Sequence, residues 1–138
     1  MEHTANFGLT QWEKTDRIQM EDFNADNAKL DAALSNCGNC RIVTGTYIGS
    51  GTYGNKAPTE LTFDGEALAV LVAAGSSQML LSRSCTLGHV LNNSINIHLC
   101  PAVWIGNKVS WYSAQNEFDQ MNVTDIEYHY FALLRADV

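Results

Sequence analysis

The chain is short of basic side chains. Eight Lys and Arg stand against fifteen Asp and Glu among 138 residues, for a net charge of −7 and a pI near 4.8. Proteins that bind nucleic acid need a basic face for the phosphates, so that class is not expected. Long apolar runs are missing too. Nothing approaches the ~18 consecutive apolar residues of a membrane span. The N-terminal stretch "MEHTANFGLTQWEKTD" has neither the basic n-region nor the apolar h-region of a secretory signal. The expectation is a chain made and folded in a cytoplasm without membrane insertion, or exported by a route the sequence does not show.

A second Cys-x-x-Cys is also lacking. Cys37 and Cys40 have half of a zinc-ribbon spacing, but Cys85 and Cys100 belong to no such pair. Free cysteines and no metal are the favoured reading. A mixed zinc site with His89 and His98 is the alternative. A thioredoxin-type motif would open a helix, whereas "CGNC" precedes a strand.

Catalytic motifs are absent in the same way. None of His3, His89, His98 and His129 lies in H-E-x-x-H, and Ser50, although between glycines, lacks the G-x-S-x-G spacing. Asp64 and Glu66 flank Gly65, where a solvated turn is the simpler reading than a glycosidase pair. No enzyme activity and no cofactor are expected. "GSGTYG", residues 49–54, matches the dinucleotide fingerprint G-x-G-x-x-G. That fingerprint needs a helix directly after it. The residues that follow, "NKAPTELTF", make a poor helix and a fair strand, so a strand–turn–strand hairpin is expected.

Charge divides what remains. Residues 1–35 hold seven acids, whereas 67–116 hold none and only Arg83 and Lys108 as full charges. This predicts a charged N-terminal arm and helix, residues 1–36, and a nearly neutral body, residues 37–138. In "MEDFNADNAKLDAAL" the residues Phe23, Asn27, Leu30 and Leu34 form a one-sided stripe near heptad spacing. "SNCGNC" supplies stop signals after it. A helix this short is marginal alone, so its stripe must be buried on the body or on copies of itself. Asn27 either sets register in such a bundle or faces solvent at the stripe's edge.

The body reads as β. "CRIVTGTYIG", "TELTF", "ALAVLVAA", "SQMLLSR", "SINIHL", "AVWIGNKVSWYS" and "DIEYHYFALL" are strand-like segments with turn residues between them. Seven or so short strands predict an antiparallel sandwich or barrel. "ALAVLVAA" reads as fully buried. Gly106-Asn107 sets a two-residue II′ hairpin that pairs Ile105 with Lys108, Trp104 with Val109 and Ala102 with Trp111. The last two pairs share a face, expected to be core, and Tyr112 points away from it.

The order of these segments resembles tail proteins of phages and prophages of Gram-positive bacteria. "QWEKTDRIQMEDFNADNAKLDAAL" is similar to their N-terminal segment, in which a Trp-Glu/Lys-Thr-Asp stretch precedes an Asp-Phe-Asn helix. "GTYIGSGTYGNKAPTELTFDGEALAVLVA" resembles a tail-fibre pattern of Gly-Thr-Tyr triplets before an apolar strand. "NKVSWYS" and "DIEYHYFAL" resemble its closing hairpin and last strand. The likeness covers residues 11–72 and 104–134. It implies a tail-fibre or baseplate-tip protein of the virion, assembled in the host cytoplasm. It also implies a homotrimer: the helix stripe Phe23, Asn27, Leu30 and Leu34 would oligomerise or dock on other tail proteins. A β-sandwich-like head would meet a bacterial surface glycan through Thr52, Tyr53 and Tyr112. A small monomeric carbohydrate-binding module or adhesin, stacking Tyr53 and Tyr112 on sugar rings, is the alternative.

Overall fold

A computed structural model of the chain describes residues 2–35, 37, 40–92 and 97–136. It divides into two compact units, residues 1–39 and 40–138.

The first unit is a two-stranded ribbon and a helix. Strands β1 (Glu2–His3) and β2 (Thr10–Gln11) pair antiparallel, with Gly8 at positive φ in the turn between them. Helix α1 (Met20–Ser35) carries Glu21 and Asp22 in its first turn, where carboxylates suit the dipole. The stop signals expected at Asn36, Gly38 and Asn39 lie outside the described residues. The side of α1 against the ribbon is polar. Asp26 Oδ2 accepts from the Thr10 amide at 2.8 Å, and Lys29 Nζ donates to the Gly8 carbonyl. Asp22, Asp26 and Ala33 on that side are half-buried, while Phe23, Asn27, Leu30 and Leu34 are exposed. No described residue of this unit is buried, so it has no core of its own.

The second unit is mainly antiparallel β. Its strands are β3 (Cys40–Ile48), β4 (Thr59–Thr62), β5 (Ala67–Ala74), β6 (Ser77–Ser82), β7 (Leu87–Asn92), β8 (Ile97–Ile105), β9 (Lys108–Trp111) and β10 (Glu127–Arg135). They form one curled eight-stranded sheet in the order β3-β10-β5-β6-β7-β8-β9-β4. From β5 to β9 the chain is a meander, each strand turning back beside its predecessor. Gly75 and Gly106 open two of its turns at positive φ, which suits the II′ geometry that a right-twisted hairpin favours. Strand β8 changes neighbour midway: residues 97–101 pair with β7, and 102–105 pair with β9. The curl brings Tyr47 of β3 to Trp111 of β9, ring centres 6.3 Å apart, and Phe63 to Tyr130 of β10 at 5.9 Å.

Alternation along each strand sets the core. Val70, Val72, Met79, Leu81, Val90, Cys100, Val109, Trp111, Ala132 and Leu134 are fully buried on the concave face. The hairpin register is the expected one, with Ala102 opposite Trp111, Trp104 opposite Val109 and Ile105 opposite Lys108.

Three expectations are corrected. "GSGTYG" is not the turn of a hairpin, because β3 and β4 are the two opposite edges of the sheet and residues 49–58 run between them. Both flanking segments carry strand signals, but their partners, β10 and β9, lie far along the chain. Strand β5 is not buried throughout: Ala67, Val70 and Val72 are, whereas Ala69, Leu71 and Ala73 on the other face are half-exposed. An unforeseen strand, β7, lies between "SQMLLSR" and "SINIHL"; the residues of the latter before Ile97 lie outside the described ones.

No helix among the described residues is long and apolar enough to cross a membrane.

Candidate functional site

The sheet alone would leave the end of its core open where β3, β9 and β10 meet. The connection between β9 and β10, residues 112–126, closes it with polar side chains. Ser113, Asp119, Gln120 and Asn122 are buried there together with Met121. Buried polar groups persist only when they are paired, and these are. The carbonyls of Asp119, Gln120 and Met121 accept in turn from Cys100 Sγ at 3.1 Å, Trp111 Nε1 at 2.8 Å and Tyr47 Oη at 2.6 Å. Met121 sits at φ 56, a left-handed conformation unusual for a residue with a side chain. The three bonds from the core and its own buried side chain hold it there.

Two amide side chains then fasten the glycine-rich connection. Gln120 Oε1 accepts from the amides of Gly54 and Ser113, and its Nε2 donates to the Ala57 carbonyl and Thr59 Oγ1. Asn122 Oδ1 accepts from the Ser50 amide, and its Nδ2 donates to the Thr52 carbonyl at 2.7 Å and Ser50 Oγ at 2.9 Å. Gly49 lies so close that a Cβ there would stand 2.0 Å from the Val123 carbonyl oxygen. Close packing accounts for Gly49, and positive φ, 76 and 93, for Gly51 and Gly54.

Tyr47 stacks on Tyr128 with ring centres 5.0 Å apart. Burial, with the neighbouring Tyr128 adding to it, pushes the Tyr47 hydroxyl far above the ordinary tyrosine range. Burial also raises the Cys100 thiol to about 12, and the nearby Asp119 charge acts the same way.

Beside this plug is a cleft of about 460 Å³, lined by His98, Leu99, Pro101, Gln115, Asn116 and Asp119 among others. Asp119 holds its middle. Its carboxylate accepts from Asn92 Nδ2 at 2.9 Å and Asn116 Nδ2 at 3.3 Å, and lies 3.3 Å from His98 Nδ1. Ser113 Oγ, also in the lining, accepts from the amides of Gln115 and Asn116. A nucleophile would instead need its hydroxyl bonded to a base, and no hydrogen bond joins Ser113 to His98. What the cleft offers is hydrogen-bonding capacity beside the apolar edges of Leu99 and Pro101. A second hollow of about 470 Å³ on the other side of the 112–126 connection is bordered by Ser76, Phe118, Ile126 and Glu127, with Phe118 largely exposed.

The residues expected to face a receptor divide. Tyr53 is 48 % exposed at the rim. Tyr112 is half-buried where the connection leaves β9, its amide bonded to the Pro101 carbonyl. Thr52 is spent on structure, its hydroxyl bonded to Ser50 Oγ at 2.8 Å and near Asn122 Nδ2. No hydrogen bond or ring contact joins Tyr53 to Tyr112. Asn116 and Asp119 were missed by sequence reasoning, which weighed His98 only as a zinc ligand beside His89. "AQNEFDQMN" carries no motif, and only the pairing of distant strands brings it against His98.

The other singled-out residues are dispersed. Asp64 accepts from Arg41 Nη2 at 2.6 Å, and that bond holds its carboxyl below the ordinary range despite some desolvation. Glu66 lies 3.1 Å from Arg135 and 3.7 Å from Arg83. Cys37, Cys40 and Cys85 are exposed and Cys100 is buried, all as free thiols. His89 and His98 lie on opposite faces of the sheet. Among the described residues, no three His, Cys, Asp or Glu side chains stand together as metal ligands would.

Compared with protein-family profiles, curated proteins and solved structures, the chain matches none.

Proposed function

We propose that the chain is a structural protein of a phage or prophage tail, a fibre or baseplate tip, that works by assembly and attachment rather than catalysis. One observation carries this reading: the first unit buries none of its described residues and turns Phe23, Leu30 and Leu34 to solvent. A helix of this length needs its apolar stripe covered to be stable. Copies of itself or other tail proteins would supply the cover. The resemblance of residues 11–72 and 104–134 to tail proteins favours a trimer, with the curled sheet as a sandwich-like head. The rim that carries Tyr53, Tyr112 and the His98–Asp119 cleft would meet a glycan on the bacterial surface. Its amides, carboxylate and aromatic rings are the groups that bind sugar hydroxyls and sugar faces. The protein would then reside in the virion tail.

Immunogold electron microscopy of particles induced from cells that encode the chain tests this reading. Label at the tail tip is expected, and label absent from every particle would contradict it. A monomeric carbohydrate-binding module is the second reading, favoured by the open rim around Tyr53. It requires sugar binding by a single copy, and Tyr53→Ala would then lower glycan affinity without changing mass.

A further inference from the structure

The convex face of the sheet exposes many large apolar side chains. The strand registers place Thr44, Phe131, Leu71, Leu80, His89 and Leu99 in one row across six strands. On one side of it lies the row Thr46, His129, Ala73, Gln78, Leu91 and Ile97. On the other lie Ile42, Leu133, Ala69 and Ser82, with Leu87 opposite Pro101. None of these positions is Asp, Glu, Lys or Arg. Ile42 is 69 % exposed, Ile97 63 %, Leu99 53 %, and Phe131 and Leu80 49 % each. Leu91, Leu133 and Leu87 are also more than a third exposed, and exposed apolar surface spread over neighbouring strands marks an interaction site more often than a merely solvated face.

We infer that this convex face is a self-association surface, covered by the same face or a neighbouring surface of a second copy of the chain. Two features name the occupant. The rows run across six strands, a breadth that suits a folded partner rather than a small ligand. Charge does the rest. A chain with a net charge of −7 repels its own copies, and these rows are where two copies can meet without bringing carboxylates together. A nucleic acid or an anionic membrane would need cations that the face does not have. The inference refines the assembly reading above and stands on a different unit from the helix stripe.

The test uses the full chain in three forms: unaltered, Leu80→Asp with Leu99→Asp, and Phe23→Ser with Leu34→Ser. Sedimentation velocity gives the mass and circular dichroism checks the fold. The unaltered chain is expected to be multi-copy, and the sheet variant to associate at least ~100-fold more weakly with an unchanged spectrum. Should the sheet variant unfold, Cys85 provides a readout without mutation, because it borders a hollow shared with Leu87, His89 and Leu99. Its alkylation, followed by peptide mass spectrometry, is expected to slow as protein concentration rises. A folded sheet variant with the mass of the unaltered chain overturns the inference, as does Cys85 alkylation independent of concentration. If the helix variant alone falls apart, assembly stands and the sheet surface does not. If the unaltered chain is single at every concentration, both fall.

Discussion

Both faces of the curled sheet carry large aliphatic and aromatic side chains, in opposite surroundings. On the concave face Val72, Leu81, Val90 and Trp111 are completely removed from water. Directly beside Val72, Leu81 and Val90 in the chain, Leu71, Leu80 and Leu91 point outward, and Leu80 and Leu91 are exposed. In most antiparallel sheets with one wet face, that face is polar. Here that face still carries polar residues such as Thr44, Gln78 and His89, but its Leu, Ile and Phe side chains stand exposed. The concave face is closed by its own chain, through the 112–126 connection. The convex face leaves Leu80, Leu91, Leu99 and Phe131 exposed, the surface proposed above to meet another copy.

Four changes sharpen or break this contrast. Trp111→Ala on the concave face removes the largest buried side chain and the bond to the Gln120 carbonyl. A loss of about 4 kcal/mol is expected in chemical denaturation. Gln120→Leu leaves four buried or half-buried partners unsatisfied, at Gly54, Ser113, Ala57 and Thr59. About 3 kcal/mol is expected, with faster hydrogen exchange over residues 49–59 as its signature. Leu80→Ser on the convex face is expected to cost the dissociated chain no more than ~0.5 kcal/mol while weakening association. A loss comparable to that of Trp111→Ala would mean that the face is closed within the chain.

Asp26→Asn has the smallest expected effect. Some desolvation raises the Asp26 carboxyl, but the bonds from Thr10 and Lys29 outweigh it, and the net shift is downward from 3.8. A depressed folded-state value stabilises above the ordinary carboxylate range and is lost as pH falls through the lower folded value. Protection of the Thr10 amide, measured against its intrinsic exchange rate, should therefore fall as the solution is acidified below about pH 4, and in Asp26→Asn it should show no such dependence on pH.

Thiol chemistry separates the same two environments. Cys37, Cys40 and Cys85 are exposed, whereas Cys100 is buried with its thiol raised to about 12. In the native protein at pH 8, three thiols are expected to react readily with a maleimide at low protein concentration, and Cys100 only after unfolding.

What was legible in the sequence was local. Period-two alternation in "DIEYHYFALL" puts Tyr128, Tyr130 and Ala132 on one face and Phe131 on the other, and the structure makes the first of these the inner face; Gly106-Asn107 set the register of its hairpin. Non-local pairing was not legible. Nothing within "GTYIGSGTYGNKAPTELTF" says that its two strands sit at opposite edges. Strand β7 escaped notice because Gly88 and His89 interrupt its apolar run, and Gly88 is there for packing: a Cβ would come within 2.6 Å of Leu81. The run "ALAVLVAA" looked buried because its outward residues are as apolar as its inward ones. That error and the convex surface have one cause. The 112–126 connection was the hardest to read. Its amides and acids look like a solvated loop until Cys100, Trp111 and Tyr47 are found bonded to it.

Sedimentation equilibrium of the unaltered chain, from dilute to concentrated solution, tests most directly whether its apolar surfaces are shared between copies. A mass rising to a defined multiple of 15.2 kDa, three if the tail-protein resemblance holds, is the expected result. A mass of one chain at the highest concentration would contradict it.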